Sequence, residues 1–234
     1  VGLYAFEIER IARLPLPKPF RALSLGHPDI LATADELFPI LGSRLAIDNM
    51  QVLVERKFHP KPDIVGNARG VFKAMGGELT VADIRDTYNV DHIVDLNDKF
   101  SLRFLRDRFD LVIDPGTSEH CFNVGTALWN MADAVEPMGF IYHMVPLCHW
   151  NHGFWNFSPC VFADFYEQNG FKIVALEGEH RCRRRDVVPR QKFKIDHNGM
   201  KLNLMCIAQR VKDQEIVFPT QYKYYKLVSD ENKG

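Results

Sequence analysis

Long hydrophobic runs are missing from this 234-residue chain: none approaches the ~18 consecutive apolar residues of a membrane-spanning helix. Acidic and basic residues are mixed within the first ten positions, so neither a secretory leader nor a membrane anchor is expected. An excess of charge is missing too. Lysine plus arginine (29) almost cancels aspartate plus glutamate (30), and no global field favours nucleic acid or an anionic membrane as partner. Cysteine is sparse and unpaired in pattern: Cys121, Cys148, Cys160, Cys182 and Cys206 are odd in number and form no C-x-x-C. Reduced thiols in a cytoplasm-like compartment are expected, with no disulfide framework. Internal repeats and low-complexity segments are absent. Glycine is scarce where a nucleotide-binding turn would concentrate it, since "LSLGHPDI" has Gly26 and then His27 and Pro28.

What is present is an ordinary globular composition, 46% hydrophobic and 25% charged, enough to bury the core of one large α/β domain. Strand-like and helix-like segments alternate, the pattern of a mainly parallel sheet with helices on both faces. An amphipathic segment (6–14) and a proline-rich link precede a first strand at 22–25. Helical stretches follow at 34–41 and 45–55, and another near 67–75 stops at Gly76-Gly77. "ELTVAD", "HIVDL" and "FDLVID" read as the next strands. A helix then carries Val124, Leu128, Met131, Ala132 and Val135 on one side, and the strand "GFIYHMV" follows. Ser158-Pro159 starts a further helix and Asn169-Gly170 stops it. "FKIVAL" and "LNLMCIA" complete seven strands, separated by a basic, irregular passage. The chain divides into an N-terminal helical extension (1–20), a main domain (21–212) with a helical insertion at about 31–65, and a tail (213–234).

In an open parallel sheet, ligands sit beyond the carboxyl ends of the strands where strand order reverses. Gly26, Asp83, Asp95 and Asp114 stand at such ends. A carboxylate there can accept both hydroxyl protons of a ribose. For any one aspartate, capping the next helix is the plainer reading. Three on successive strands favour a site.

The order of elements and the text "FDLVIDPGTSEHCFNVGTALWNMADAVEPMGFIYHMVP" resemble the Rossmann-like S-adenosylmethionine-dependent methyltransferases, small-molecule branch, over Arg21 to Arg210. "SEHCFN" and "EPMG" carry the likeness, and "NHGFWNFSP" is similar to a segment of a bacterial subgroup modifying saccharides and other small metabolites. The resemblance implies a mostly parallel seven-stranded sheet. It implies Gly26 and His27 at the cofactor turn, Asp83 and Ile84 at the ribose, Asp95, Leu96 and Asn97 at the adenine, and Asp114 near the methionine moiety. The sequence departs from the family at its G-x-G-x-G turn, here G-H-P-D-I, where Pro28 fixes its own backbone angle and restricts His27. S-adenosylmethionine has no pyrophosphate to cradle, and its cationic groups tolerate aspartates such as Asp29 or Asp114. The altered turn therefore speaks against a dinucleotide more than against this cofactor.

An acceptor that loses a proton needs a base, for which His120, His149 and His152 are the candidates; His143, within a strand, is expected to be a packed side chain. Cys148, His149 and His152, joined in space by His120 or Glu119, could hold a metal, but H-x-x-H in a loop is a weak pattern and none is expected. Glu119, Trp150, Asn151, Arg183 and Arg184 are assigned to the acceptor. Arg181, Arg183, Arg184 and Arg185 read first as a solvated hairpin, and more sharply as a phosphate clamp. Trp150, Phe154, Trp155 and Phe157 read as packing for a lid or a neighbouring subunit of a homo-oligomer. The expected activity is methyl transfer to oxygen or nitrogen of a small polar, phosphorylated or sugar-derived acceptor; a silent scaffold member of the fold is the alternative.

Overall fold

Side chains alternate along the strands and sort the core into two halves. In β2 (Phe20–Leu25), Phe20 and Ala22 face one side while Leu23 and Leu25 face the other. The same split recurs in β7 (Val135–Cys148), with Phe140 and Tyr142 against Ile141 and Val145, and in β10 (Leu202–Arg210), with Met205 and Ile207 against Leu204 and Cys206. Strands apolar on both faces demand cover on both, and helices supply it. The computed structural model describes residues 2–42, 65, 67–86, 89–180, 183–187, 190, 201–222 and 224. The expected helix at 45–55 lies outside them, as do Arg181 and Cys182.

One face is covered by α1 (Ala5–Ala12), α2 (Ala34–Leu41) and α3 (Ala68–Ala74), through Ile8 and Ile11, Leu37, and Val71 and Phe72. The N-terminal helix thus shares this core rather than standing apart, and Arg10 reaches Glu177 at 2.6 Å. The other face is covered by α4 (Val124–Ala134) and α5 (Pro159–Gln168), through Leu128, Met131, Phe162 and Tyr166. Local chemistry sets the boundaries. Thr33 accepts from the Glu36 amide while Glu36 caps the Thr33 amide in return, which starts α2. Ser158 with Pro159 starts α5 as the sequence predicts.

The main sheet runs β5 (His92–Ile93), β4 (Gly77–Asp83), β2, β6 (Phe109–Asp114), β7, β10, β8 (Phe171–His180) and β9 (Arg183–Asp186). Pairing is parallel from β5 to β7 and antiparallel from β7 to β9. After β2 the chain moves outward through β4 to β5, then returns to the other side of β2 for β6. The strand order therefore reverses between β2 and β6. This is the Rossmann-like, doubly wound arrangement expected from the sequence, with seven strands and one addition. The addition is β9, within the passage expected to be irregular: its residues pair antiparallel with β8, Arg184 opposite Glu179, which agrees with the first reading of the arginine run as a hairpin or sheet edge.

Other boundaries differ. "HIVDL" supplies only a two-residue strand, after which Asp95 turns the chain by accepting from the Asn97 amide and side chain. The segment after Gly26 does not wind directly into a helix. Asp29–Ile30 forms β3, paired in parallel with β1 (Gly2–Leu3). The chain beyond β10 is anchored, since Trp129 donates to the Ile216 carbonyl and Asn169 exchanges two hydrogen bonds with Val217. No helix among the described residues is long and apolar enough to cross a membrane.

Buried Asn130 on α4 holds the turn between β5 and β6. Its amide donates to the carbonyls of Leu96 and Asp98 and to Ser101 Oγ, and its oxygen accepts from the Phe100 amide. Asn130→Leu is expected to lower unfolding free energy by about 1–3 kcal/mol, because the fully buried amide's bonds are lost and the buried Leu96 carbonyl is left without that donor. Urea denaturation measures it.

Candidate cofactor site and histidine cluster

At the reversal of strand order, β2 ends in Gly26 at φ +82°, a left-handed conformation that suits glycine. Its amide donates to the Ala82 carbonyl at 2.7 Å, tying it to the end of β4. A Cβ built there would lie 2.7 Å from Thr117 Oγ1 and 3.8 Å from Asp83 Oδ2. Thr117 cannot easily yield, since its hydroxyl donates to the Leu25 carbonyl at 2.5 Å. The floor of the site is therefore a bare backbone with a carboxylate at its rim. Gly26→Ala is expected to cost about 1–2 kcal/mol from the left-handed backbone, with the Thr117 collision in addition, read as a lower urea midpoint.

The carboxylate of half-buried Asp83 accepts at 3.3 Å from the Arg85 amide through Oδ1, the one side-chain hydrogen bond it shows among the described residues. Ile84 beside it is 59% exposed, an apolar side chain outside the core. Asp95 is exposed at the end of β5, and Asn97 accepts from the Asn123 amide, linking that end to the start of α4. Leu96, in contrast, is buried in the core. His27 is half-buried immediately after Gly26.

Asp114 is spent inside the protein. Its fully buried carboxylate accepts from the amides of Thr117 and Ser118, from Ser118 Oγ at 2.5 Å and from His143 Nδ1 at 2.9 Å. A carboxylate only accepts, so Nδ1 carries the proton; Nε2 meets the Tyr166 hydroxyl at 2.5 Å. Burial opposes ionisation of Asp114, but the hydrogen bond and electrostatic pull of His143, with the Ser118 and Thr117 donors, outweigh it and hold its pKa below the ordinary value. His143 is wholly buried, a packed side chain.

Next to this hub lies a polar cluster built from two loops. The turn Ser118–His120 after β6 supplies Glu119 and His120, and the loop after β7 supplies His149 and His152. Glu119 Oε1 stands 3.4 Å from His152 Nε2 and 3.9 Å from His120 Nε2. The His152 ring lies 5.2 Å from that of His120 and 5.3 Å from that of His149. The loops are fastened by backbone, Phe154 and Trp155 amides donating to the Glu119 carbonyl. Gly153 makes this approach feasible, since a Cβ there would fall 2.7 Å from that carbonyl oxygen.

Burial, and secondarily the charge of Asp114, pushes the Glu119 pKa up to about 8. Burial lowers all three histidines, helped by His152 at His120 and His149 and by Lys201 at His152. At neutral pH the cluster thus holds neutral imidazoles beside a largely protonated carboxyl. Cys148 is not part of the group of donors that lie together, which is Glu119, His120 and His152.

Trp150 is 82% exposed and Asn151 is also exposed at φ +56°, both on the same loop as His149. Phe122 stacks edge-on with Phe154 near them. Arg183 and Arg184 lie on β9 at the outer edge of the sheet, with β10 and β8 between them and β7. A separate cavity of about 420 Å³ is lined by Lys99, Phe100, Arg103, Arg106 and Trp129, away from the strand ends; its charges pair locally, as Arg106 does with Asp133 at 3.3 Å. Neither Thr117 nor Gly153 stands out in the amino-acid sequence. Thr117 matters for where its hydroxyl points, and Gly153 for which backbone it meets.

No protein-family model and no curated protein matches the chain. Among solved structures it is similar to the 1,6-didemethyltoxoflavin-N1-methyltransferase of Burkholderia thailandensis, crystallised with its substrate and S-adenosylhomocysteine, at 16% identity and TM-score 0.49, covering 89% of this chain and 78% of that one. TehB from Haemophilus influenzae matches at 10% identity and TM-score 0.49, covering 88% and 62%. The trans-methyltransferase CalH in complex with S-adenosylhomocysteine matches at 14% identity and TM-score 0.44, covering 87% and 54%, so the chain spans about half of that protein. These likenesses sit alongside the strand order, on which the fold assignment rests.

Proposed function

We propose that the chain is an S-adenosylmethionine-dependent methyltransferase acting on an oxygen or nitrogen of a small polar acceptor, phosphorylated or sugar-derived, in a cytoplasm-like compartment. The observation that carries the reading is the pairing of Gly26 with Asp83 at the reversal of strand order: a point one bond out from the bare glycine backbone is 3.8 Å from a carboxylate oxygen. A ribose resting on that backbone could give both hydroxyl protons to Asp83. Ile84, exposed beside it, offers an apolar face for the adenine, and Asp95 with Asn97 its polar edge. When bound, S-adenosylmethionine supplies an electrophilic methyl group. The chain's own part is to hold the acceptor in line with it and to take any proton released. His120, His149 and His152, held neutral, suit the second task; Trp150 and Asn151 on the same loop suit the first, with Glu119 at its base. Arg183 and Arg184, on an outer strand, would serve only an acceptor long enough to reach them.

A catalytically silent scaffold is the second reading, favoured by the turn after Gly26, where Pro28 and the β1–β3 bridge replace further glycines. Incubation with methyl-labelled S-adenosylmethionine and a small-metabolite extract separates the two. Label is expected in the small-molecule fraction; cofactor binding with no transfer to any fraction supports the scaffold.

A further inference from the structure

We infer that Glu119, His120 and His152 bind one divalent transition-metal ion of the zinc type. Two imidazoles and one carboxylate are a donor set that suits such ions and leaves coordination positions open. The spacing fits as well. Ligand atoms each about 2.0–2.1 Å from a tetrahedral ion stand roughly 3.3 Å from one another; His152 Nε2 and Glu119 Oε1 are 3.4 Å apart, His120 Nε2 and Glu119 Oε1 3.9 Å, and one ligand atom from each residue lies within 4.8 Å of the others. Small rotations of two exposed rings close the remaining gap.

The independent observation is Glu119 itself. Its side chain is only 2% exposed, and Oε2 is buried with no hydrogen-bond partner. A buried carboxylate oxygen without a donor is costly unless something satisfies it. The imidazole nitrogens gather at Oε1 and leave Oε2 without a donor, so a cation held by both carboxylate oxygens and facing the rings would satisfy the orphan as well. The backbone is arranged to hold the group closed: Phe154 and Trp155 amides fix the second loop on the Glu119 carbonyl, and Gly153 removes the side chain that would prevent it. Two ligands thus come from the turn after β6 and one from the loop after β7, which a single ion would clamp together.

The position also gives the ion a use. It lies beyond the strand ends on the side of the sheet away from Asp83, next to exposed Trp150, so its open positions would take an oxygen of the acceptor and leave His149, outside the donor group, to take a released proton; this role rests on the methyltransferase reading, whereas the ion's binding does not. The test is calorimetric titration of the chelator-treated chain with Zn²⁺, with Co²⁺ as the spectroscopic probe of coordination, in the absence of any methyl donor. One equivalent is expected to bind, with the visible absorption of four-coordinate Co²⁺. His120→Ala, His152→Ala and Glu119→Gln are each expected to weaken binding by more than about tenfold, the lower bound that even outer ligand partners reach. His92→Ala, outside the cluster, is expected to leave it unchanged. No saturable binding by the folded wild type, or binding that both exposed-histidine variants leave intact, overturns the inference. Because His120 and His152 are surface side chains, their variants keep the test open even if Glu119→Gln fails to fold.

Discussion

Asp114→Ala is expected to destabilise the protein by about 3–5 kcal/mol, the range for removing one partner of a buried charged pair. Four donors converge on this carboxylate, and three of them are buried away from water: the Ser118 amide, the Ser118 hydroxyl and His143 Nδ1, with the half-buried Thr117 amide as the fourth. Alanine leaves His143 with a buried N–H and no acceptor, and frees the turn that carries Thr117 under Gly26. Loss of stability and loss of the proposed cofactor site should therefore arrive together. Asp114→Asn keeps the shape and one acceptor oxygen, so a smaller loss is expected. The pH dependence has a definite sign. Because the folded pKa lies below the ordinary 3.8, the stability this carboxylate contributes is fully present above that value and is lost as pH falls through the lowered one. The wild-type advantage over Asp114→Ala, measured by urea unfolding across pH, should accordingly shrink only in strong acid.

Asp83→Ala is expected to weaken S-adenosylhomocysteine binding about tenfold to a hundredfold while leaving the unfolding midpoint almost unmoved. The two effects separate because of what Asp83 touches. Within the protein it accepts one long hydrogen bond, from the Arg85 amide at 3.3 Å, so the fold loses little. Toward a ribose it would accept two charge-assisted hydrogen bonds, each worth about 1.5–3 kcal/mol, part of which water recovers in the variant. Asp83→Asn should fall between, since an amide keeps one acceptor but must turn a donor toward a hydroxyl. Calorimetry gives the affinities and thermal unfolding the control.

The sheet was legible because its strands are apolar on both faces, and a strand buried on both sides leaves few other readings. Helix starts were legible where capping chemistry is local, as at Thr33 and Ser158. Pairing over long separations was not. Nothing in "HPDI" announces that Asp29–Ile30 will pair with Gly2–Leu3, and the arginine run, read first as a hairpin, does not show which residues pair with β8. In the site, the strand-end position of Gly26 and Asp83 could be read from order alone. The orientation of Asp114 could not. A strand-end aspartate has two choices, to face the cleft or to turn under the following loop, and Ser118 four residues on and His143 on the adjacent strand decide for the second. Leu96 likewise faces the core because the turn around Asp95 and Asn97 sends the intervening side chain inward. The histidines were visible singly; their convergence on Glu119 depends on Gly153 letting two loops touch.

Calorimetric titration of the folded wild-type protein with S-adenosylhomocysteine tests the central claim most directly. Saturable binding of one equivalent, weakened in Asp83→Ala at unchanged fold, is the expected result. A folded wild type that takes up no detectable ligand would contradict it.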